Sequence, residues 1–225
     1  MDAKQLVKHL EKKGTRKNLE GMARFGINTT RAYGVPVPEL RRLAKHIGTN
    51  QRLSLELWDT RVHEARILAA YLGDSKKVTE RQLERWVSGF DSWDVCDQVC
   101  GNLFDKTDFA HRKALEWSRR KEEYVKRAGF AMMATLAVHD TRAGFSSFEK
   151  FFPAIIRESD DERNYVKKAV NWALRQIGKR SLSLNRAALE ACSRIETIDS
   201  PSAKWIASNA RHELESEKVQ KRLRE

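Results

Sequence analysis

The residues of this chain best suited to chemistry lie between Ser92 and Val99, where one tryptophan and two aspartates are close together. Trp93 and Asp97 are four residues apart, so on an α-helix their side chains would leave the same face. The face of an indole attracts cations, and a carboxylate stabilises a nearby positive charge. The pair therefore suits a site that holds a positively charged group.

A structural role is the alternative for the same residues. Aromatic residues at helical spacing usually belong to a hydrophobic core, and an aspartate nearby often caps a helix or forms a salt bridge. Asp94 follows Trp93 directly and would point about 100° away from it on a helix. We interpret Asp94 as a supporting residue at the helix end. Both interpretations fit the spacing, so the surrounding elements must distinguish them.

The composition indicates a globular protein with an anionic partner. The chain has 225 residues, 40% of them hydrophobic, which fits one large domain or two small ones. Its formal net charge is +12. A charge of this sign and size favours polyanions, above all nucleic acid, over the alternatives of an acidic membrane surface or an acidic protein.

The sequence contains no pattern that indicates secretion, membrane insertion or metal binding. The N-terminus lacks the apolar core of a signal peptide, and the nearly apolar run 128–138 is too short to span a bilayer. Cys96, Cys100 and Cys192 form no disulfide pattern and lack the further ligands of a zinc site. We expect a cytoplasmic monomer, associated with the nucleoid in a prokaryote, without membrane contact and without metal or other cofactor.

Hydrophobic residues recur at helical spacing along nearly the whole chain, and alternation with a period of two is almost absent. The pattern predicts an all-α protein, with helices near 4–12, 17–25, 38–47, 51–58, 61–72, 79–88, 92–104, 108–118, 122–138, 145–157, 161–179, 184–195 and 201–213. We expect a single domain over residues 1–225, folded to about residue 215 and followed by a charged tail at 216–225.

An internal repeat relates two of these helices. Tyr-Val-Lys-Arg-Ala at residues 124–128 returns as Tyr-Val-Lys-Lys-Ala at residues 165–169, 41 positions later. Paired helices with a period near 40 are typical of HEAT and armadillo solenoids, in which the second helix of each pair commonly lines the concave side. The prediction is a HEAT-like helical-repeat solenoid in which side chains at matching positions converge on one groove, namely Asp97, Arg127, Lys168 and Trp172.

Further motifs occur in a specific order and spacing. They are Gly-Met-Ala-Arg-Phe-Gly-Ile at 21–27, Tyr-Gly-Val at 33–35, Pro-Glu-Leu-Arg at 38–41, Leu-Trp at 57–58, Trp-Asp at 93–94 with Asp97, Lys-Arg-Ala at 126–128, and Lys-Ala at 168–169 with Trp172 and Leu-Arg at 174–175. In this order they resemble the DNA alkylation repair family of HEAT-like repeat DNA glycosylases. The resemblance covers about residues 21–179.

The resemblance implies a C-shaped solenoid that grips duplex DNA in a concave basic groove and removes cationic N3- and N7-alkylated purines, such as 3-methyladenine and 7-methylguanine. It implies that Asp97 is the catalytic carboxylate, that Trp93 and Trp172 are aromatic walls, and that Arg127 is the adjacent groove arginine. The DNA-binding residues that we expect on the groove and its rim are Arg175, Lys168, Lys126, Phe25, Arg41 and Arg42.

Two positions depart from the family pattern. The best-known members have a second tryptophan where this chain has Ser92, and a tyrosine where it has Phe25. We expect both departures to lie at the rim of the site. There they would affect substrate preference and rate more than the class of reaction.

The residue types fit this chemistry. A purine alkylated at N3 or N7 is already cationic and leaves as a neutral base, so no strong general acid is needed. Asp97 would stabilise the oxocarbenium-like sugar and orient the attacking water. No lysine suited to covalent chemistry is evident, so we expect a monofunctional glycosylase. The alternatives are a catalytically inactive paralogue that binds damaged or branched DNA, and a HEAT-type scaffold for an acidic protein.

Overall fold

The computed structural model describes residues 1–224 and is helical along its length, with no β-strand among them. The α-helices are α1 (Ala3–Lys13), α2 (Arg16–Arg24), α3 (Val37–Ile47), α4 (Gln51–Asp59), α5 (His63–Leu72), α6 (Glu80–Val87), α7 (Trp93–Asn102), α8 (Ala110–Trp117), α9 (Glu123–His139), α10 (Phe145–Glu149), α11 (Phe152–Arg157), α12 (Asn164–Gly178), α13 (Leu182–Glu196), α14 (Pro201–Leu214) and α15 (Glu217–Arg224). The all-α prediction is confirmed.

The structure differs from the sequence expectation in two places. The helix predicted at 145–157 is divided into α10 and α11, because Pro153 near the start of α11 has no N–H to continue the helix from α10. The segment expected as a charged tail forms helix α15. There Val219 is buried, and the Gln220 side-chain amide donates to the carbonyl of Leu214 at 2.7 Å.

The chain divides into two compact units. The first spans Met1–Thr107, and the second begins at Asp108 and includes the rest of the described residues. In the first unit α5 packs against α3, α4 and α7; in the second α9 packs against α8 and α12, and α12 also packs against α13 and α14. The single-domain organisation stays a prediction.

The first unit is built around a cluster of aromatic side chains. Trp58 of α4 and Trp86 of α6 stack with ring centroids 4.2 Å apart and planes 7° from parallel. Phe90 meets Trp58 edge-on, and Phe104 lies against both Trp86 and Phe90. Because these rings come from α4, from α6 and from the segments that follow α6 and α7, the cluster fixes the spacing of α4 and α6.

The second unit contains the internal repeat. The repeat-related Tyr124 and Tyr165 stack on each other with centroids 5.7 Å apart. The helices that carry them, α9 and α12, therefore lie side by side in register, as successive units of a helical repeat do. Gly129 allows close contact between α8 and α9, because a Cβ at this position would lie 2.4 Å from the backbone nitrogen of Ser118.

No helix within residues 1–224 is long and apolar enough to cross a membrane.

Candidate active site

Helix α7 buries one face and leaves another partly open. Val95, Cys96, Val99 and Cys100 are fully buried, and they form the face that packs into the first unit. Trp93 and Asp97 are only half-buried and lie one above the other on a different face. The pair thus lies outside the hydrophobic face by which this helix packs into the first unit.

The indole of Trp93 is held in place by the end of α2. Its Nε1–H donates to the backbone carbonyl of Phe25, at 3.0 Å. Phe25 is the residue that follows the last turn of α2, and its side chain is 75% exposed. The hydrogen bond fixes the plane of the indole relative to the end of α2.

Asp94 supports the end of the helix, as we expected from its position in the sequence. Its Oδ2 accepts a hydrogen bond from His63 Nε2 at 2.8 Å, and its Oδ1 accepts from the Ser92 hydroxyl at 2.6 Å. Burial tends to raise the pKa of the Asp94 carboxyl, but the bonds from His63 and Ser92 outweigh it and hold that pKa below its ordinary value. The ionised Asp94 therefore anchors the first turn of α7.

Ser92 does not lie at the rim, and that expectation is wrong. Its side chain is fully buried, where its hydroxyl accepts from the backbone N–H of Asn28 at 3.3 Å while donating to Asp94. Ser92, which stands where the best-known family members have a second tryptophan, thus helps to anchor the start of α7. Phe25 does lie on the surface, as expected.

Two residues of α5, His63 and Glu64, hold neighbouring segments in place and were not predicted from the sequence. His63 binds Asp94, which lies 31 positions later. The fully buried Glu64 accepts hydrogen bonds from the backbone N–H groups of Tyr33 (2.9 Å), Gly34 (2.6 Å) and Val35 (3.1 Å), and so fixes the loop between α2 and α3. Neither contact leaves a local signal in the sequence, because His63 lies 31 positions from Asp94 and Glu64 lies 31 positions from Tyr33.

The expected groove arginine, Arg127, belongs to the second unit and is 94% buried, with 6% of its surface exposed. Its Nη1 donates to the carbonyl of Tyr165 in the first turn of α12, at 2.6 Å. The guanidinium therefore ties the two repeat-related helices together. Its orientation is set by α12.

Lys126 is engaged by acidic residues of its own unit. Its ammonium group pairs with Glu158 and, at 3.1 Å, with Asp161, and only 13% of its side chain is exposed. Burial would raise the pKa of Asp161, but hydrogen bonds from Arg163 and Lys126 lower it to about 2. This arrangement favours a structural role for Lys126 over contact with DNA.

Three of the expected residues share one face of α12. Lys168 is exposed, and Trp172 one turn later is half-buried. Arg175 pairs with Glu213, which also accepts from Lys179 at 2.5 Å. Although burial opposes it, these two bonds hold the pKa of Glu213 below its ordinary value, so Arg175 faces a fixed negative charge. Contact between Arg175 and a phosphate has to compete with this pair.

The basic residues expected on α3 are both exposed. Arg42 pairs with Glu39 on its own helix, at 2.6 Å. Arg41 donates from Nε to the Tyr71 hydroxyl at 3.3 Å, and that hydroxyl donates to Gln98 at 2.5 Å. This chain of hydrogen bonds connects α3 through α5 to α7, where it ends at Gln98.

The structure thus places the expected residues in two groups. Trp93, Asp97 and Phe25 lie together in the first unit. Arg127 and the α12 residues lie together in the second. That the two groups converge on one groove stays a prediction. No cluster of three or more side chains that could hold a metal ion occurs among the described residues.

Comparison with known proteins identifies the family. The sequence profile described as DNA alkylation repair enzyme matches residues 6–214. The chain belongs to this family. A solved structure covers 94% of this chain over 95% of its own length, with 20% identity and a TM-score of 0.78. It represents a new family of proteins related to the HEAT-like repeat DNA glycosylases with affinity for branched DNA structures. No curated protein matches the sequence.

The family and this structural likeness agree with the helical fold described above. The HEAT-like repeat architecture predicted from the 41-residue period is confirmed by the likeness to that solved structure. The family match includes α7, α9 and α12, which carry every residue expected to be catalytic.

Proposed function

We propose that this protein is a DNA glycosylase that hydrolyses the N-glycosidic bond of cationic N3- and N7-alkylated purines in duplex DNA. The observation that carries the proposal is the pair of half-buried side chains on α7, Trp93 and Asp97. The pair lies on a face of α7 that differs from the buried Val-Cys face, while Asp94 anchors the start of the helix. Membership of the DNA alkylation repair enzyme family supports the same chemistry.

In the proposed reaction the bond between C1′ and the purine nitrogen breaks, and its electron pair goes to the purine. The alkylated base, which carried the positive charge, leaves as a neutral molecule. The charge moves to the sugar, where an oxocarbenium-like state forms. Water then adds to C1′ and loses a proton, so the products are the free base and an abasic site.

Asp97 has two tasks in this scheme. Its carboxylate stabilises the positive charge on the sugar, and it orients the water and accepts the proton that the water loses. Trp93 presents an indole face to the same cation, an interaction that contributes about 0.5–2 kcal/mol depending on desolvation. Trp172 and Arg127 are proposed to take part in the same reaction.

The anchor of α7 supports rapid chemistry because catalytic groups act best when their positions are fixed before the reaction. The Ser92–Asp94–His63 contacts fix the start of the helix. The bond from Trp93 to Phe25 fixes the indole. Neither contact has to form when DNA binds.

Binding to DNA would depend mainly on contacts with phosphate, which do not depend on sequence. The net charge of +12 fits this, and Lys168, Arg41 and Arg42 are exposed. We propose that the enzyme acts as a monomer in the cytoplasm, without cofactor. Because hydrolysis needs no covalent lysine, borohydride should trap no adduct with DNA.

A catalytically inactive DNA-binding protein is the second candidate. It is favoured by the likeness to the solved structure described by its affinity for branched DNA. The two candidates differ in one measurement, the release of free base from duplex DNA that contains 7-methylguanine or 3-methyladenine. The glycosylase releases the alkylated base and leaves unmodified duplex intact. Binding to DNA without any release would support the inactive protein instead.

A further inference from the structure

A polar cavity of about 850 Å³ lies in the first unit, at the connections that precede α5 and α7. Four arginines line it: Arg31 before α3, Arg61 between α4 and α5, Arg66 on α5 and Arg85 on α6. The acidic groups in the lining are Asp59 and Asp91. Four positive charges against two negative ones leave an excess of two positive charges around one concave space.

Arg66 forms the floor of this arginine cavity. It is buried, with its guanidinium 4.5 Å from the centre of the Trp58 ring. Its Nη1 donates to Asp91 at 2.8 Å and its Nη2 to the carbonyl of Gly89 at 2.5 Å. A buried guanidinium requires such partners, and they fix its position.

Arg85 is held only loosely, since its closest acidic atom, on Asp59, is 3.3 Å away and both side chains are about half exposed. Such surface pairs contribute little to stability, on the order of 0–1 kcal/mol, and exchange readily for another anion. Arg85 can therefore turn from Asp59 towards a ligand in the cavity.

Arg31 and Arg61 carry the excess charge. Both are exposed, and neither has an acidic group of residues 1–224 within ion-pair distance. The same two arginines line a second, adjoining space of about 140 Å³, next to His63 and Asp91. Like charges held together without a counter-ion repel one another, so an anion between them would stabilise the arrangement.

The backbone conformation of Arg61 is independent support for a functional role of its side chain. Its φ is +57°, and it is the sole non-glycine residue with a positive φ in the described part of the chain. A residue with a Cβ is disfavoured in this conformation, for which glycine is the usual choice. Strain of this kind is concentrated at functional sites, where the side chain is needed.

We propose that the arginine cavity binds a backbone phosphate of DNA, at a point separate from the nucleotide that faces Asp97. A guanidinium fork matches the geometry of phosphate oxygens and is weakly hydrated, so arginine suits a partly enclosed phosphate site better than lysine does. The proposal rests on the DNA binding in the proposed function, but it does not depend on base excision.

The test compares two double variants of the full chain that lose the same charge. Arg31→Ala with Arg61→Ala removes the two exposed arginines of the cavity. Arg52→Ala with Arg81→Ala removes two exposed arginines of α4 and α6 that do not line it. Binding to an unmodified duplex is measured by fluorescence anisotropy at several salt concentrations, so the result stands whether or not the protein excises bases.

The cavity variant should bind DNA more weakly, on the order of tenfold. Its plot of log K against log salt concentration should be less steep by about one, because one phosphate is no longer neutralised. The control variant should keep the wild-type slope. Equal changes in the two variants would mean that only net charge matters, and would overturn the proposal.

Two further measurements separate the remaining explanations. If the cavity binds a free anion instead, inorganic phosphate at constant ionic strength will stabilise wild type but not the cavity variant, and both will have the same DNA salt slope. That result would overturn the assignment to DNA. Arg61→Gly removes the backbone strain, so it should keep or raise Tm while it weakens DNA binding; a lower Tm with unchanged DNA affinity would contradict a functional role for Arg61.

Discussion

The indole N–H of Trp93 donates to the carbonyl of Phe25, at 3.0 Å, and so joins the first turn of α7 to the end of α2. The two residues are 68 positions apart. The carbonyl of Phe25 thus holds Trp93 in a fixed orientation, and Trp93 is the residue proposed to face the reacting sugar. It allows the face of the indole and its hydrogen bond to be tested separately.

Trp93→Phe keeps an aromatic face but removes the hydrogen bond, whereas Trp93→Ala removes both. A hydrogen bond of this kind contributes about 0.5–1.5 kcal/mol, so Trp93→Phe should slow single-turnover base release by roughly 2- to 10-fold. Trp93→Ala should be slower again, because the cation loses its aromatic contact. Trp205→Phe, at a partly exposed tryptophan of α14, is the control. Equal rates for Trp93→Phe and Trp93→Ala would assign no role to the aromatic face.

Lys126 and Lys168 should respond differently to the same substitution. Lys126→Ala removes one ion-pair partner of Glu158 and of Asp161, both of which are partly buried, so it should lower the free energy of unfolding by about 1–3 kcal/mol. Lys168 is exposed on α12, so Lys168→Ala should leave Tm unchanged and weaken DNA binding. Thermal unfolding and anisotropy measure the two effects. If Lys126→Ala left Tm unchanged and weakened DNA binding, Lys126 would have to be counted among the residues that contact DNA.

Asp161 should make stability depend on pH in the acid range. Its pKa in the folded protein is about 2, against an ordinary value of 3.8. A carboxyl with a lowered folded pKa stabilises the protein above the ordinary pKa, and this contribution disappears as the pH falls from about 4 to about 2. Asp161→Asn should therefore lower Tm at pH 7, with a difference from wild type that shrinks below pH 4. Asp160→Asn, at the exposed neighbour, should change Tm little at either pH.

The three thiols should be inert in the folded protein. Cys96, Cys100 and Cys192 are all buried, and none of them forms a disulfide. Burial raises the pKa of Cys100 well above its ordinary value and that of Cys192 to about 11, so little reactive thiolate forms at neutral pH. A thiol reagent should label none of them before denaturation and all three afterwards. Rapid labelling of Cys96 or Cys100 in the native protein would contradict the packing of α7, and rapid labelling of Cys192 would contradict that of α13.

The sequence was sufficient to predict the helical class, because hydrophobic periodicity reflects local burial. The sequence also contained the internal repeat, and in the structure the repeat-related Tyr124 and Tyr165 stack on each other. Helix α15 was missed because five of its eight residues are charged and a single side chain, Val219, is buried. The break before α11 was missed because it depends on Pro153, whereas the prediction used hydrophobic periodicity alone.

The candidate site was predicted only in part. The spacing of Trp93 and Asp97 placed them on one helical face, which the structure has. The partners of charged residues were not predictable, since His63 lies 31 positions from Asp94 and Asp161 lies 35 from Lys126. Such pairs leave no local period in the sequence. For the same reason the sequence could not separate Lys126, which is engaged, from Lys168, which is exposed.

The most direct test of the central claim is the effect of Asp97→Asn on the release of 7-methylguanine or 3-methyladenine from duplex DNA under single-turnover conditions. The substitution keeps the size of the side chain and removes its charge, and Asp108→Asn, at an exposed position, is the matched control. We expect wild type and the Asp108 variant to release the base at the same rate. The Asp97 variant should bind DNA normally and release the base at least about 100-fold more slowly. Equal release by the Asp97 variant and wild type would contradict the assignment of Asp97 as the catalytic carboxylate.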